Sequence, residues 1–277
     1  MTPASLEVWG DPIGHSLSPR LHRAAYVHLG LPWTYERRRV DAASFAGELA
    51  AARGRLRGLS LTMPLKAVAW ASADRRDTHA QRTGAVNTLL LGDDGLAGFN
   101  TDVGGIVRAL ADEGLRTVTH ARIVGAGATA TSALVALLEA GAREIEVVAR
   151  RSSAVEPLLG LGSMAGAAMT HVPFGTAVGP GADVTVATLP GGVVLPDEAT
   201  APLAAGGGLL FDVVYGTWPT DLARAWRTAG HRAVDGTGML LHQALLQVRL
   251  FVSGDVHRPL PDEERLMAVM RDALVGD

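Results

Sequence analysis

The stretch that most limits how this chain can fold lies near its middle. Residues 121–124 read as a short strand. Gly125-Ala126-Gly127-Ala128-Thr129-Ala130 follows without a gap, and residues 130–140 read as a helix with Gly141 just past its end. In a G-x-G-x-x-A turn between strand and helix, small residues let the backbone approach a pyrophosphate, while the helix N-terminus supplies N–H donors and a positive dipole end. Read alone, in a chain with 33 glycines, the same six residues also describe a tight turn that holds nothing. The strand before it and the helix after it favour the nucleotide.

The rest of the chain alternates in the same way. Strands are predicted at residues 6–10, 34–40, 59–62, 87–91, 96–100, 144–149, 184–188 and 209–214. Gly92-Asp93-Asp94-Gly95 marks a hairpin between the fourth and fifth of these. Ser18-Pro19 reads as an N-cap with proline at the first helical position, opening a helix to residue 29 that Gly30 ends. Further helices are predicted at 42–53, 103–113, 239–252 and 262–274. Strands alternating with helices imply parallel βαβ units and an α/β fold.

Composition narrows the function classes. Of 277 residues 48% are hydrophobic and 19% charged, ample for a packed core. The net charge of −3 gives no whole-chain pull toward nucleic acid, and Glu36-Arg37-Arg38-Arg39 reads as a solvated strand or loop. With no cysteine there is no disulfide, thiolate metal site or cysteine nucleophile. Nine histidines contain no HExxH pair, so no metal is expected. No apolar run reaches the ~20 residues of a membrane helix, and the first residues lack the pattern of a signal peptide. A cytoplasmic protein with no membrane or nucleic-acid partner is expected.

The end of the strand after the glycine turn bears on the cofactor. An acidic residue there would bind the ribose 2′-hydroxyl of NAD. Here Val147-Val148-Ala149 runs into Arg150-Arg151-Ser152-Ser153. Two guanidiniums and two hydroxyls suit the 2′-phosphate of NADP; a solvated arginine pair is the alternative.

Polar residues also stand in unusual places in the first half. Gly14-His15-Ser16-Leu17-Ser18-Pro19 sets two hydroxyls at a loop-to-helix junction that suits a small carboxylate, although Ser18 equally serves as a cap. Ser60-Leu61-Thr62-Met63-Pro64-Leu65-Lys66 ends an apolar strand with hydroxyls and a lysine that, alone, reads as a surface residue. Asp102, in Asn100-Thr101-Asp102, is either a reactive carboxylate or the cap of the next helix.

Together these segments resemble the shikimate dehydrogenases, in order and over nearly the whole chain. The resemblance rests on Ser16 and Ser18, Thr62-Met63-Pro64-Leu65-Lys66, Ala85-Val86-Asn87-Thr88, Asn100-Thr101-Asp102, Asp212-Val213-Val214-Tyr215 and Gly236-Thr237-Gly238-Met239-Leu240-Leu241-His242-Gln243-Ala244. It implies two domains: a substrate domain of residues 1–102 with 239–277, and a Rossmann-type doubly wound NADP domain of residues 103–238. Lys66 and Asp102 would be the catalytic pair. Ser16, Ser18, Thr62 and Tyr215 would hold a carboxylate, and Asn87, Asp102 and Gln243 would read ring hydroxyls. Gly125, Ala126, Gly127, Ala128, Thr129, Arg150, Arg151 and Ser152 would bind NADP, with Val213 and Gly236 near the nicotinamide.

Departures from the family pattern are Ser60, where many members have asparagine, Ala128 at the third position of the glycine loop, and the arginine clamp, where only Arg150 carries over directly. The activity implied is NADPH-dependent reduction of 3-dehydroshikimate to shikimate in aromatic amino-acid biosynthesis, by a monomer or homodimer. The rivals are an NAD-dependent quinate/shikimate dehydrogenase and a catalytically inactive nucleotide-sensing protein. Retention of Lys66 and Asp102 argues against the second rival.

Overall fold

The computed structural model describes residues 2–92, 94–176, 178–179 and 181–275. The chain divides into two compact units: residues up to Gly105 together with those from Leu241 on, and Ile106–Leu240.

The first unit begins with β1 (Ala4–Gly10), α1 (Ser18–His28), β2 (Trp33–Arg39), α2 (Phe45–Ala52) and β3 (Gly58–Leu61). It continues through α3 (Lys66–Ser72), β4 (Arg75–Arg76), α4 (Thr78–Thr83), β5 (Thr88–Gly92), β6 (Gly95–Phe99) and the start of α5 (Thr101–Asp112). Its six-stranded sheet has the order β2-β1-β3-β5-β6-β4. The sheet is mixed, because β5 runs antiparallel to both β3 and β6. The hairpin predicted at residues 92–95 accounts for this, with Gly95 at φ +103° opposite Gly92; Asp93 lies outside the described residues. Trp9, Phe45, Leu59, Leu61, Leu65, Val86 and Leu89 form one core.

The second unit holds β7 (His120–Val124), α6 (Ala128–Glu139), β8 (Glu144–Val148), α7 (Ser152–Met164), β9 (Ala168–Val172) and β10 (Val184–Ala187). Then come α8 (Asp197–Ala205), β11 (Leu209–Asp212), α9 (Asp221–Thr228) and β12 (Ala233–Val234). Helix α10 (Thr237–Ser253) leads back into the first unit, which ends with α11 (Glu263–Val275). All six strands are parallel, in the order β12-β11-β10-β7-β8-β9. The order reverses between β7 and β10, the place where doubly wound sheets bind ligands beyond their strand C-termini.

Two local expectations are corrected. Ser18 is the first residue of α1, not its cap; Leu17 holds the cap position and makes no side-chain bond there. The Ser16 hydroxyl instead accepts the Ser18 N–H at 3.4 Å. Helix α2 starts at Phe45 rather than at residue 42, because the Asp41 carboxylate takes the Ser44 N–H at 2.8 Å and closes a turn first. Elements absent from the sequence reading include the two-residue strands β4 and β12, the short helices α3 and α4, helices α7 and α8 with Pro157 and Pro202 inside them, and β9 and α9.

Candidate active site

The lysine segment is set by backbone contacts. After β3 the Thr62 N–H donates to the Trp9 carbonyl at 2.9 Å, and Leu65 N–H to the Thr62 carbonyl at 2.8 Å. A Cβ on Gly10 would stand 2.4 Å from Thr62 Cγ2, so only glycine lets β1 end beside this turn. Helix α3 then opens on Lys66, whose carbonyl accepts the Val86 N–H at 3.0 Å. The Lys66 ammonium donates to Asp102 Oδ2 at 2.7 Å, with side-chain exposures of 14% and 6%. Lys66 is therefore no free surface lysine, and breaking so buried a pair leaves an uncompensated charge.

Asp102 is also not the helix cap. Asn100 Oδ1 accepts the N–H groups of Asp102 and Val103 at 3.0 and 3.3 Å, which frees the Asp102 carboxylate. Asp102 Oδ1 instead accepts from Asn87 Nδ2 at 2.8 Å. The Asn87 amide has one possible orientation, since its Oδ1 accepts the Thr101 backbone N–H at 2.9 Å and a backbone N–H can only donate. Its second amide proton goes to Thr101 Oγ1 at 2.9 Å. Both Asn87 amide protons are thus in use, and a contact with a ring hydroxyl has to replace one of them.

The other residues predicted for substrate lie in two places. Ser16 and Thr62 are half-buried and Ser18 and Gln243 buried, all in the first unit. Tyr215 is half-buried in the second. There Asp212 accepts the Val214 N–H at 3.1 Å and the Thr220 hydroxyl at 2.7 Å, bracketing the segment that carries Tyr215. Burial raises the Asp212 carboxyl above its usual range. Gly236 packs so closely on this segment that a Cβ would lie 2.1 Å from the Val213 carbonyl oxygen.

The glycine turn follows β7. Gly125 has φ +112°, and a Cβ there would meet Thr188 Oγ1 at 2.6 Å, so this position requires glycine on two counts. A Cβ on Gly127 would meet nothing within 4 Å, and Gly127 caps α6 without a side-chain bond. The first turn of α6 is therefore open at its N–H end. At the end of β8, Arg150, Arg151, Ser152 and Ser153 are all exposed. Among the described residues no ion pair or side-chain hydrogen bond involves Arg150 or Arg151, and no group of acidic and histidine side chains is placed to hold a metal.

Residues 8–89 match the model of the shikimate dehydrogenase substrate-binding domain. An NADP(+)-dependent shikimate dehydrogenase of Anaeromyxobacter sp. (strain Fw109-5) is 39% identical over 252 residues, covering 88% of this chain and 89% of that protein. This chain belongs to the shikimate dehydrogenase family. The Mycobacterium tuberculosis shikimate dehydrogenase superposes with a TM-score of 0.84 at 38% identity, covering 98% of this chain and 100% of that one. The Thermus thermophilus enzyme, solved with NADP(H) and shikimate, gives 0.82 at 32% identity, covering 98% and 99%.

Within this shikimate dehydrogenase fold, direct bonds join Lys66, Asp102 and Asn87 into one cluster. The sequence reading missed the residues behind that cluster. Thr88, Gln247 and His22 are at most 2% exposed and carry hydrogen bonds; Thr88 and Gln247 adjoin apolar runs that read as core, and His22 lies between Leu21 and Arg23. The available signal was spacing: Gln247 follows Gln243 by one helical turn in α10. Ser60 is also buried, and its hydroxyl is committed inward to Tyr35 and Gln247.

Proposed function

We propose that this chain reversibly reduces 3-dehydroshikimate to shikimate, with NADPH as its cofactor. The observation that carries this reading is the buried Lys66–Asp102 pair, held by Asn87, in a chain of this family.

The residues of the second unit fit NADP. Gly125 and the uncapped start of α6 offer a close backbone approach and N–H donors at the reversal of strand order. Arg150, Arg151, Ser152 and Ser153 supply cations and hydroxyls for a 2′-phosphate, where a carboxylate would repel it. When bound, NADPH supplies the hydride that reduces the substrate's C3 carbonyl.

The protein's part is to meet the charge that grows on the carbonyl oxygen. An ammonium has three N–H bonds, and Lys66 spends one on Asp102. Another, aimed at the carbonyl oxygen, stabilises the developing alkoxide and delivers the proton that makes it the C3 hydroxyl. Asp102 fixes the direction of the ammonium, and Asn87 fixes Asp102. Ser16, Ser18 and Thr62 hold the substrate carboxylate, and Gln243 reads a ring hydroxyl.

The test is a spectrophotometric oxidation assay that crosses shikimate and quinate with NADP and NAD. Shikimate with NADP should give the highest kcat/KM. Turnover with none of the four pairs would overturn the reading, and a preference for NAD would favour the quinate/shikimate rival.

A further inference from the structure

Behind the Lys66–Asp102 pair lies a buried polar network with a single junction. Gln247, on α10, is 2% exposed. Its Nε2 donates to Thr88 Oγ1 at 3.0 Å and to the Asn87 carbonyl at 3.4 Å. A carbonyl can only accept, so the amide nitrogen must face β5 and the amide oxygen must face away from it. On that side Oε1 receives the Ser60 hydroxyl at 2.8 Å and His22 Nε2 at 3.1 Å. The His22 proton therefore sits on Nε2, and its Nδ1 accepts from the Tyr26 hydroxyl at 3.1 Å. Burial holds this imidazole neutral, lowering its pKa to about 3. Every donor and acceptor of Gln247 is used, and each use has a fixed sense.

That sense propagates toward the reactive pair. With one Thr88 lone pair taken by Gln247, the Thr88 proton points to Asn87 Oδ1 at 2.8 Å. Asn87 in turn donates to Asp102, and Asp102 accepts from Lys66. Hydroxyls rotate to suit their neighbours, so a fixed amide on one side of Thr88 removes that freedom. In a low-dielectric interior each bond in such a chain also polarises the next.

We propose that Gln247 is a positioning residue which, acting through Thr88 and Asn87, sets the Asp102 carboxylate and hence the direction of the Lys66 ammonium. The inference rests on the functional reading above and adds residues that do not touch the reacting atoms.

Thr88→Val is the sharpest test, because it keeps the side-chain shape and removes only the hydroxyl. It leaves one Gln247 amide proton without an acceptor, but Gln247 Nε2 keeps the Asn87 carbonyl and Asn87 Oδ1 keeps the Thr101 N–H. The fold should therefore survive. Misdirection of a reactive group by a fraction of an ångström lowers the rate of the chemical step, so kcat for shikimate oxidation should fall about 10-fold while the KM for NADP stays within 2-fold. Thr88→Ser restores the hydroxyl and should return kcat to within about 2-fold of the parent. Gln247→Leu should reproduce the kcat loss, read on the folded fraction well below its melting temperature. A purely structural role would lower Tm in these variants and leave kcat per folded molecule unchanged; that result overturns the inference. A parent chain that does not oxidise shikimate overturns the functional reading and this inference together, whereas an active parent with unaffected variants overturns the inference alone.

Discussion

The two ends of the proposed chemistry are built in opposite ways. Around Lys66 the polar groups are buried and committed: the ammonium lies on Asp102, Asp102 on Asn87, Asn87 on Thr101, and Thr88 on Gln247. At the end of β8 they are exposed, and among the described residues the guanidiniums of Arg150 and Arg151 make no hydrogen bond or ion pair. The second unit does bury a charge, since Arg122 is fully buried and bonded to Glu146 at 2.8 Å and the Gly179 carbonyl at 2.8 Å, but that charge ties strand to loop within the unit. A group that must stabilise charge in a transition state gains from being oriented in advance, because no reorganisation is then needed during the reaction. A group that clamps a phosphate gains from being solvated and accessible until it binds.

The largest effect should come from breaking the organised side. Lys66→Met keeps most of the side-chain length and removes the ammonium. Loss of one such donor costs on the order of 10²–10³ in rate, so kcat for shikimate oxidation should fall by about that factor. NADP binding, measured by calorimetry or by the cofactor's effect on the melting temperature, should persist. Activity within a few-fold of the parent would show that the buried pair is only structural.

On the open side, Arg150→Ala with Arg151→Ala removes both guanidiniums without touching a partner in the protein. Charge-assisted bonds of this kind are worth about 1.5–3 kcal/mol, so the KM for NADP should rise at least ~10-fold. The KM for NAD, which has no 2′-phosphate, should barely move. Equal losses for both cofactors would place the arginines elsewhere in the site. Ser16→Ala sharpens the comparison from the first unit. One lost hydroxyl bond to a carboxylate should weaken shikimate binding by about 10-fold and leave NADP binding alone. Normal shikimate binding by calorimetry would move the carboxylate site away from α1.

This contrast also explains what the sequence made legible. The glycine turn and the arginines could be singled out as candidates because such signals are local: a strand, small residues, a helix start and a cation pair all lie within a few tens of residues. Lys66, Asp102 and Asn87 were found as members of motifs, but the alternatives stayed open in the residues themselves. Asp102 could have capped α5 until Asn100 was seen to do so, and Lys66 could have been a surface residue until its partner was seen 36 positions away. Gln247 and His22 lie 225 residues apart, and only the one-turn spacing of Gln247 from Gln243 hints at a polar junction inside a core. Ser18 was misassigned as a cap because Ser-Pro is a strong local signal, whereas its burial depends on how α1 packs. The short and proline-bearing elements were missed because their stability comes from tertiary packing rather than propensity.

The smallest effect should appear in stability rather than rate, and it divides the two regions by pH. His22 is fully buried and neutral, with its pKa lowered from 6.5 to about 3, chiefly by burial. In the unfolded chain it takes up a proton near pH 6.5, and in the folded chain it does not. Between those values the unfolded state binds more protons, so stability rises with pH there. The contribution is complete above pH 6.5 and declines by up to about 1.4 kcal/mol per pH unit as the pH falls toward 3. Protonation would also place a charge against Tyr35, whose ring stacks on the imidazole with centroids 4.0 Å apart. The expected result is a chemical-denaturation stability that drops between pH 6.5 and pH 4.5, with a shallower drop in His22→Gln, whose side chain does not titrate. Amide exchange followed across the same range should speed up in α1 and β3 before it does in β7 and β8. Identical acid slopes for the parent and His22→Gln would mean that other groups govern acid stability, and that the buried network contributes orientation without making the first unit acid-sensitive.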